Sequence, residues 1–416
     1  MTQPVVVGTA STRFQRWPER DFRDLSAQVV REVLADAGLE DGLQVEVAVF
    51  GNCAMGVWGQ PNIRGQVALR PLLDGSVLPE NLPVVNVEGA CATGSVALHQ
   101  AAQAVRAGAD LALALGVEKV FVPDDPVKTF RLFQGGADNL YAEEWQAFFA
   151  ENGARTGLPF EPHPHRLWFL DVHALQARAH MQRHGTTVEQ LAAIAEKNHG
   201  HSVHNPLAQY RVPMTRAQVL ADKPVVAPFT RSMCSPVSDG AAAVLLASPA
   251  WAARQAERTR TRGLTVRACA LVGGSWRALD ADAVVWPAAA QALDQAGITG
   301  RDLDVAEVHD STAYCELVAT EALGLCARGE GGALAESGAT TLGGRVPVNT
   351  SGGLMSKGHP LAATGLSMIH ELALQLRGEA GERQVPGATL AAAQNAGGLV
   401  GYDEALCGVT VLERRA

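Results

Sequence analysis

The sequence predicts an α/β protein built from two similar halves packed in layers, with a segment of different texture inserted in the first half. Three observations carry this. First, a helix, an Ala-Gly-aliphatic stop, an acidic turn and a strand occur twice, about 260 residues apart. Val33-Leu34-Ala35-Asp36-Ala37-Gly38-Leu39 leads to a strand over 45–50, and Ala292-Leu293-Asp294-Gln295-Ala296-Gly297-Ile298 leads to one over 305–308. Second, each copy then reaches the same strand and tight turn, Val85-Asn86-x-x-Gly89 and Val348-Asn349-x-x-Gly352, followed by a helix. Duplicated α/β units bury their sheets by packing as layers. Third, aromatic residues collect between about 121 and 185, in a chain only 5% aromatic. The division that follows is 1–120 with 186–256 for the first half, 121–185 for the insert and 257–416 for the second half.

The elements read in order as follows. Val5 to Val7 opens a strand. Val85–Val87 is a β-branched approach to Cys91, and Val96–Val105 is a helix-like run beyond it. In the insert, Phe130, Phe133, Tyr141, Trp145, Phe148, Phe149, Phe160, Trp168 and Phe169 are punctuated by Pro159, Pro162 and Pro164. Such aromatics either pack an irregular segment against the core, the favoured reading, or line a pocket for a bulky group. Val188–Asn198 repeats apolar residues at 188, 191, 192, 194 and 195, one helical face. Asp239–Leu246 is a turn into a small-residue buried strand, and Trp251–Arg262 a charged helix joining the halves. Gly331, Gly332, Gly343 and Gly344 mark loops near a helix over 316–323. Gly358-His359-Pro360 reads as a loop, because proline breaks a helix interior, and Leu366–Arg377 as the helix after it.

Two of these turns carry chemistry. In Gly89-Ala90-Cys91-Ala92-Thr93-Gly94, Gly89 and Gly94 permit a tight strand-to-helix turn that puts a thiol at a helix N-terminus. There, unpaired N–H groups and the helix dipole favour thiolate, the nucleophilic form. Read alone, the segment fits a buried structural cysteine equally well. The glycine-framed His359 resolves this, because imidazole is the side chain suited to proton transfer near neutrality. If matching turns of two pseudo-symmetric halves face one another, Cys91 and His359 meet.

These residues resemble the thiolase superfamily, above all its sterol-carrier-protein or lipid-transfer-protein branch. The likeness rests on five segments in order. They are the Cys91 turn; Leu191-Ala192-x-Ile194-Ala195-x-Lys197-Asn198-His199 with Asn205-Pro206-Leu207-Ala208-Gln209; Cys234-x-Pro236-x-Ser238-Asp239-Gly240; Glu307-x-His309-Asp310; and Gly358-His359-Pro360. The resemblance implies the thiolase fold, with the insert as its loop domain, and an acyl-CoA C-acyltransferase. Cys91 would carry the acyl group and His359 would take the thiol proton. His309, through a water, would bind the thioester oxygen of the second substrate. Backbone N–H groups near Cys91 and Gly398 would form the other oxyanion site, with Asn395 and Ser311 in support. Fixed donors at developing oxyanions lower such barriers most. Coenzyme A enters as substrate and no permanently bound cofactor is implied. Relatives are commonly dimers or tetramers, so a homodimer or homotetramer is implied, and some need a small OB-fold zinc-ribbon partner.

The chain departs from the family in one respect. Where the branch usually has His-Asp-Cys-Phe, this chain has His309-Asp310-Ser311-Thr312; where other thiolases have Cys-x-Gly, it has Asn395-Ala396-Gly397. Both usual places for the acid/base cysteine therefore lack one, and serine is a poor base. Cys315, Cys407 or Tyr314 would take over that role, or the cysteines are simply core. Acylation of Cys91 is untouched; the thiolytic carbon–carbon step is what the departures bring into question. Thiolysis of a 3-oxoacyl-CoA is the first reading. Acyl transfer to a non-CoA acceptor and a CoA- or lipid-binding subunit are the alternatives. Relatives that perform retro-aldol cleavage generally lack the nucleophilic cysteine, so Cys91 argues against that chemistry.

Composition sets the remaining bounds. A length of 416 residues and 47% hydrophobic content suit two or three packed lobes. A net charge of −9 with mixed signs argues against nucleic-acid binding. Coenzyme A still needs local positive charge, for which Arg166, Arg178, Arg183 and Lys197 are candidates. Seven scattered cysteines make neither a disulfide framework nor a zinc pair, which fits a reducing cytoplasm. His163, His165, His173, His180, His184, His199, His201 and His204 cluster without a matching carboxylate or cysteine spacing, so no metal site is expected. His173 is a candidate to line the active site beneath the insert. The N-terminus enters a strand directly, no apolar run is long enough to span a membrane, and Arg-Arg-Ala is no peroxisomal address.

Overall fold

A computed structural model describes residues 2–155, 157 and 166–415. Phe160, His163, His165 and the prolines beside them lie outside the described residues. The strands are β1 (Val5–Ser11), β2 (Val47–Gly51), β3 (Val84–Val87), β4 (Leu111–Glu118), β5 (Pro224–Val226), β6 (Phe229–Thr230), β7 (Gly240–Ala247), β8 (Leu264–Gly273), β9 (Val305–Val308), β10 (Leu390–Gly397) and β11 (Leu406–Arg414). One mixed sheet runs β3-β2-β4-β7-β1-β8-β11-β10-β9, and β5 pairs only with β6.

The duplication read from sequence is visible in the pairing. In the first half β2 is parallel to β3 and β4, β4 antiparallel to β7, and β7 antiparallel to β1. In the second half β9 is parallel to β10, β10 antiparallel to β11, and β11 antiparallel to β8. Val348 pairs in parallel with Ala306 of β9, in the place β3 holds beside β2. The halves join where Val5 and Val6 of β1 meet Thr265 and Leu264 of β8.

Strand side chains alternate between faces, and here both faces are buried. Ala112 and Ala114 of β4, Val244 and Leu246 of β7, and Ala391 and Ala393 of β10 pack towards two central helices, Thr93–Arg106 and Leu361–Arg377. Leu113 and Leu115 of β4 and Leu245 of β7 pack on the outer helices Phe22–Asp36 and Arg64–Asp74. In the second half Ala392, Val409 and Val411 pack towards the outer helices Val285–Ala296 and Ala313–Ala322. Layers of sheet therefore enclose the central helix pair, as expected of the thiolase fold.

Those two central helices position the site, since each follows one of the chemical turns. They cross at glycine. A Cβ on Gly94 would lie 2.9 Å from the Ala362 carbonyl oxygen, and one on Gly365 would lie 2.7 Å from the Ser95 nitrogen. Both helices begin earlier than their apolar periodicity suggests, at Thr93 and Leu361, because small residues mask the pattern in their first turns. Gly94 therefore serves the helix crossing more than the turn, which corrects the reading that Gly89 and Gly94 bend the chain.

The insert is helical rather than irregular, with helices Pro126–Gln134, Ala142–Arg155 and Trp168–His184. Its aromatics are largely packing. Trp145 stacks on Trp168 at 4.7 Å and on Phe149 at 5.3 Å, and Phe148 meets Tyr402 at 4.5 Å and Trp276 at 5.1 Å. This cluster fastens the insert to the second half, helped by a Trp145 Nε1 hydrogen bond to the Gly401 carbonyl of 3.0 Å. The segment read as one helix over 251–262 is two, Pro249–Ala253 and Glu257–Arg262. No helix among the described residues is long and apolar enough to cross a membrane.

Candidate active site

Cys91 lies in a 3₁₀ turn, Ala90–Ala92, between the end of β3 and the helix starting at Thr93. The left-handed residue is Ala90 (φ 47°), whereas Gly89 is extended (φ −172°). A non-glycine there costs about 1–2 kcal/mol, and local hydrogen bonds hold it. Thr93 Oγ1 donates to the Ala90 carbonyl at 2.6 Å and accepts from the Gly89 N–H at 2.9 Å, while Glu88 accepts from the Ala90 N–H at 2.5 Å. The sulfur is buried among Ala54, Val120, Leu132 and Leu361, with Phe133 of the insert packed against them.

This burial overturns the expected thiolate. Loss of water, and then the carboxylate of Glu118 and the charge of Cys315, push the Cys91 thiol well up. Burial outweighs the helix N-terminus, so the resting group is the thiol and it needs a base. Glu118 is itself buried at the end of β4. Its Oε1 accepts from Asn52 Nδ2 and the Ala54 N–H, and its Oε2 from the Cys53 N–H, each at 2.9–3.0 Å. Burial raises its pKa to about 7 against those bonds. In Glu118→Gln either amide orientation sets an N–H₂ group against N–H donors, so an unfolding loss of about 1–3 kcal/mol is expected. Urea denaturation checks this, and an unchanged midpoint would contradict the assigned bonds.

His359 sits on a loop anchored by its N–H to Ser238 Oγ at 3.0 Å. Thr364 Oγ1 donates to the Pro360 carbonyl at 3.1 Å, so it accepts from His359 Nδ1–H at 2.8 Å. The proton is therefore on Nδ1. Nε2 carries the lone pair and has no hydrogen-bond partner among the described residues. Burial, reinforced by the charge of Lys357, lowers the His359 pKa to about 3, so the imidazole is neutral and ready to accept.

His309 follows β9, its N–H bonded to Gln394 Oε1 at 3.0 Å. Asn395 Nδ2 donates to its Nδ1 at 2.9 Å, and Ser95 Oγ donates to Asn395 Oδ1 at 3.2 Å, fixing the amide. His309 is then an Nε2–H donor. Burial and the neighbouring His359 and His173 hold its pKa well below the usual range, so it stays neutral. The two rings stand 5.2 Å apart and nearly perpendicular, and the Cys91 sulfur and one nitrogen of each ring lie within 4.8 Å of one another. A thiol of the first half and two neutral imidazoles of the second thus converge.

The other expected positions divide. Asn395 is in place as the partner of His309. Ser311 is near, its Oγ 3.5 Å from Cys315 Sγ. At Gly398 a Cβ would meet Ala405, whereas one on Gly397 would meet Cys91 N at 2.5 Å and Cys91 Cα at 2.8 Å. Gly397, at the end of β10, is the residue packed on the nucleophile. Cys407 is core, accepting only a long bond from Gln394 Nε2 of 3.4 Å. Cys315 instead groups with His173 and Glu404, their ligating atoms all within 4.8 Å. Thr364, Gly397 and Glu404 were missed in sequence; Thr364, one helical turn after His359, was the findable one.

Of the cationic candidates, Lys197 is buried on Glu316 and the Val348 carbonyl, Arg166 pairs with Asp171 and Arg178 bonds the Ala227 carbonyl. Arg183 lines a cavity of about 340 Å³ together with Arg155, Arg277 and Arg328. A narrow cleft of about 20 Å³, lined by His309, Cys315, Gln394 and Glu404, adjoins it; Gln176, Ala283, Tyr314 and Val318 border both. The remaining described histidines are dispersed in structural contacts, such as His199 on the Ser232 carbonyl and His204 on Glu382.

Comparison with known proteins agrees with this architecture. Residues 4–130 match the thiolase N-terminal domain and residues 279–407 the thiolase C-terminal domain-like family. Acetyl-CoA acetyltransferase of Methanothermobacter thermautotrophicus is 36% identical over 96% of this chain and 98% of its own length. Human sterol carrier protein 2 is 34% identical over 94% of this chain and 69% of its own. Benzoylsuccinyl-CoA thiolase subunit BbsB of Thauera aromatica is 30% identical over 91% and 90%. Among solved structures, an Ltp2-ChsH2(DUF35) aldolase superposes with TM-score 0.76 at 22% identity, covering 99% of this chain and 98% of that one. Human mitochondrial 3-ketoacyl-CoA thiolase gives 0.67 at 17%, covering 100% and 99%, a likeness of fold. Relatives more than a third identical along nearly the whole length, on a duplicated fold that joins Cys91 to His359, place the chain in the thiolase family of enzymes.

Proposed function

We propose that this enzyme moves an acyl group through a thioester on Cys91, cleaving a 3-oxoacyl-CoA with coenzyme A or forming one in reverse. The observation that carries the reading is the meeting of the Cys91 sulfur with one nitrogen each of the His359 and His309 rings, within 4.8 Å of one another, where His359 keeps an unpartnered Nε2. His359 takes the proton as sulfur attacks the carbonyl. The His309 donor faces oxygen where negative charge develops, and donors fixed in a water-poor site stabilise such charge strongly. The cavity bordered by four arginines adjoins the cleft and supplies positive charge for the phosphates of coenzyme A, although Arg277 and Arg328 share theirs with Asp403 and Asp282. The free state of all seven cysteines suits a reducing cytoplasm. A homodimer or homotetramer is the expected assembly.

A second reading is acyl transfer to another acceptor, or action only with a partner subunit. Ser311 and Asn395, standing where the family carries cysteine, favour it, as does the likeness to an aldolase whose name pairs it with a DUF35 protein. Intact mass after mixing with acetyl-CoA and longer acyl-CoAs, followed by peptide mapping, tests the first reading. The expected result is an acyl adduct on the Cys91 peptide that coenzyme A removes. An adduct that coenzyme A leaves in place favours another acceptor, and no adduct with any donor sinks the covalent route.

A further inference from the structure

Cys315, His173 and Glu404 come from three separate parts of the fold: the second-half outer helix, the last helix of the insert, and the turn before β11. All are withdrawn from solvent, Cys315 at 5% exposure, His173 at 3% and the Glu404 side chain at 15%. The Cys91–His359–His309 trio does not use them. A buried cysteine and histidine beside a half-buried carboxylate, their reactive atoms converging within 4.8 Å, call for a reason.

Resting on the acyl-Cys91 reading, we propose that Cys315 is the second acid/base of the reaction, a catalytic residue, with His173 and Glu404 as the positioning residues that hold its proton-transfer state. Place supports this first. Cys315 and His309 line the same narrow cleft, and Glu404 borders it. Charge on Cys315 acts on Cys91 and charge on His173 acts on His309, so the two clusters are electrostatic neighbours. Chemistry supports it next. His359 is occupied by the proton of Cys91, so protonating a carbanion needs another donor. Tyr314, pushed up by burial, and Ser311 are weaker acids than a thiol.

The local charges point the same way. His173 Nε2 stands 3.6 Å from Glu404 Oε1, and neither ring nitrogen has a hydrogen bond of ordinary geometry among the described residues. Burial opposes its charge, but Cys315 and Glu404 prevail and raise its pKa to about 10. An imidazolium beside a thiol stabilises the thiolate, and the Ser311 and Thr312 hydroxyls stand 3.5 and 3.2 Å from the sulfur.

The steps balance. Cys91 sulfur adds to C3 of the 3-oxoacyl-CoA while His359 takes its proton, and the tetrahedral oxyanion collapses with cleavage of C2–C3. The electron pair remains on C2 as the enolate of acetyl-CoA. The Cys315 thiol gives its proton to C2, acetyl-CoA departs, and a thiolate is left beside His173. That thiolate takes the proton of incoming coenzyme A, whose sulfur attacks the acyl-Cys91 carbonyl. The bond to Cys91 breaks, and Cys91 recovers its proton from His359.

Exchange of the acetyl-CoA methyl protons in D₂O isolates the C2 step from acylation, which intact mass reports. Cys315→Ala is expected to slow exchange about a hundredfold while the Cys91 adduct still forms. Cys315→Ser takes its place if the alanine variant does not fold. His173→Gln should slow exchange about tenfold, again sparing the adduct. It should also change the pH profile of exchange relative to wild type, because the charged group beside Cys315 is lost, a signature a purely structural role would not move. Exchange within about threefold of wild type in an adduct-forming Cys315 variant overturns the proposal and leaves acyl-Cys91 standing. Exchange by a wild type that forms no adduct sinks the acyl-Cys91 reading, and the Cys315 dependence of that exchange still decides this one.

Discussion

His359→Ala is expected to slow acylation of Cys91 by about 10³–10⁴, the range for loss of a positioned general base. The physical reason is that the site does not store a thiolate. Burial and Glu118 hold the sulfur as a thiol, and the base that removes its proton is the Nε2 lone pair created by the hydrogen bond from Nδ1 to Thr364. The effect should fall chiefly on the acylation rate, with a stability loss of only about 1–3 kcal/mol from the buried ring and its bond to Thr364. The pH profile gives a second readout. An unperturbed histidine would lose base function below about pH 6.5. With the His359 pKa lowered to about 3, the acid limb should fall near pH 3 and acylation should stay flat across about pH 5–6. As pH rises through about 7, Glu118 ionises, pushes the neighbouring thiol further up and slows the step. Rapid-quench mass measurements across pH check both limbs. A sharp loss on acidifying through about 6.5, the ordinary histidine range, would assign the proton transfer elsewhere.

The meeting of Cys91 with His359 was legible because it follows from duplication. Two strand–turn–helix units, each read from residue spacing, come face to face once two helices cross at Gly94 and Gly365. The charge state of Cys91 was not legible. A local turn argues for thiolate, but the groups that oppose it, Ala54, Val120, Leu132 and Glu118, arrive from other strands and from the insert. The same holds for His173 and Glu404, about 230 residues apart in the sequence, which no local pattern joins. The bend at the nucleophile was assigned to glycine, whereas the structure places the left-handed conformation on Ala90 and holds it through Thr93 and Glu88. Which of the paired glycines Gly397-Gly398 packs on Cys91 was not legible for a related reason: only the register of β10 shows that it is Gly397.

That register makes Gly397→Ala the other variant with a large expected effect. Its Cβ would fall 2.5 Å from Cys91 N and 2.8 Å from Cys91 Cα, and it would also strike Ala92 N. These are backbone atoms, so no side chain can swing aside. Neither wall yields easily. Gly397 is paired with Leu406 at the end of β10, and the opposing turn is held by Thr93 Oγ1 and Glu88. With both sides held, the turn must shift by a fraction of an ångström to relieve the clash, at a cost of about 1–3 kcal/mol in stability. The loss of function should be larger than that cost implies. The sulfur would move relative to His359 and His309, and a misplacement of about 1 Å costs about 10²-fold even when the protein stays folded. Gly398→Ala is the control, since its left-handed φ of 74° makes the substitution strained yet its Cβ faces Ala405 rather than Cys91. The expected order is therefore Gly398→Ala impaired chiefly in stability and Gly397→Ala impaired chiefly in acylation rate. Adduct formation at the wild-type rate by folded Gly397→Ala would mean that the end of β10 does not support the nucleophile.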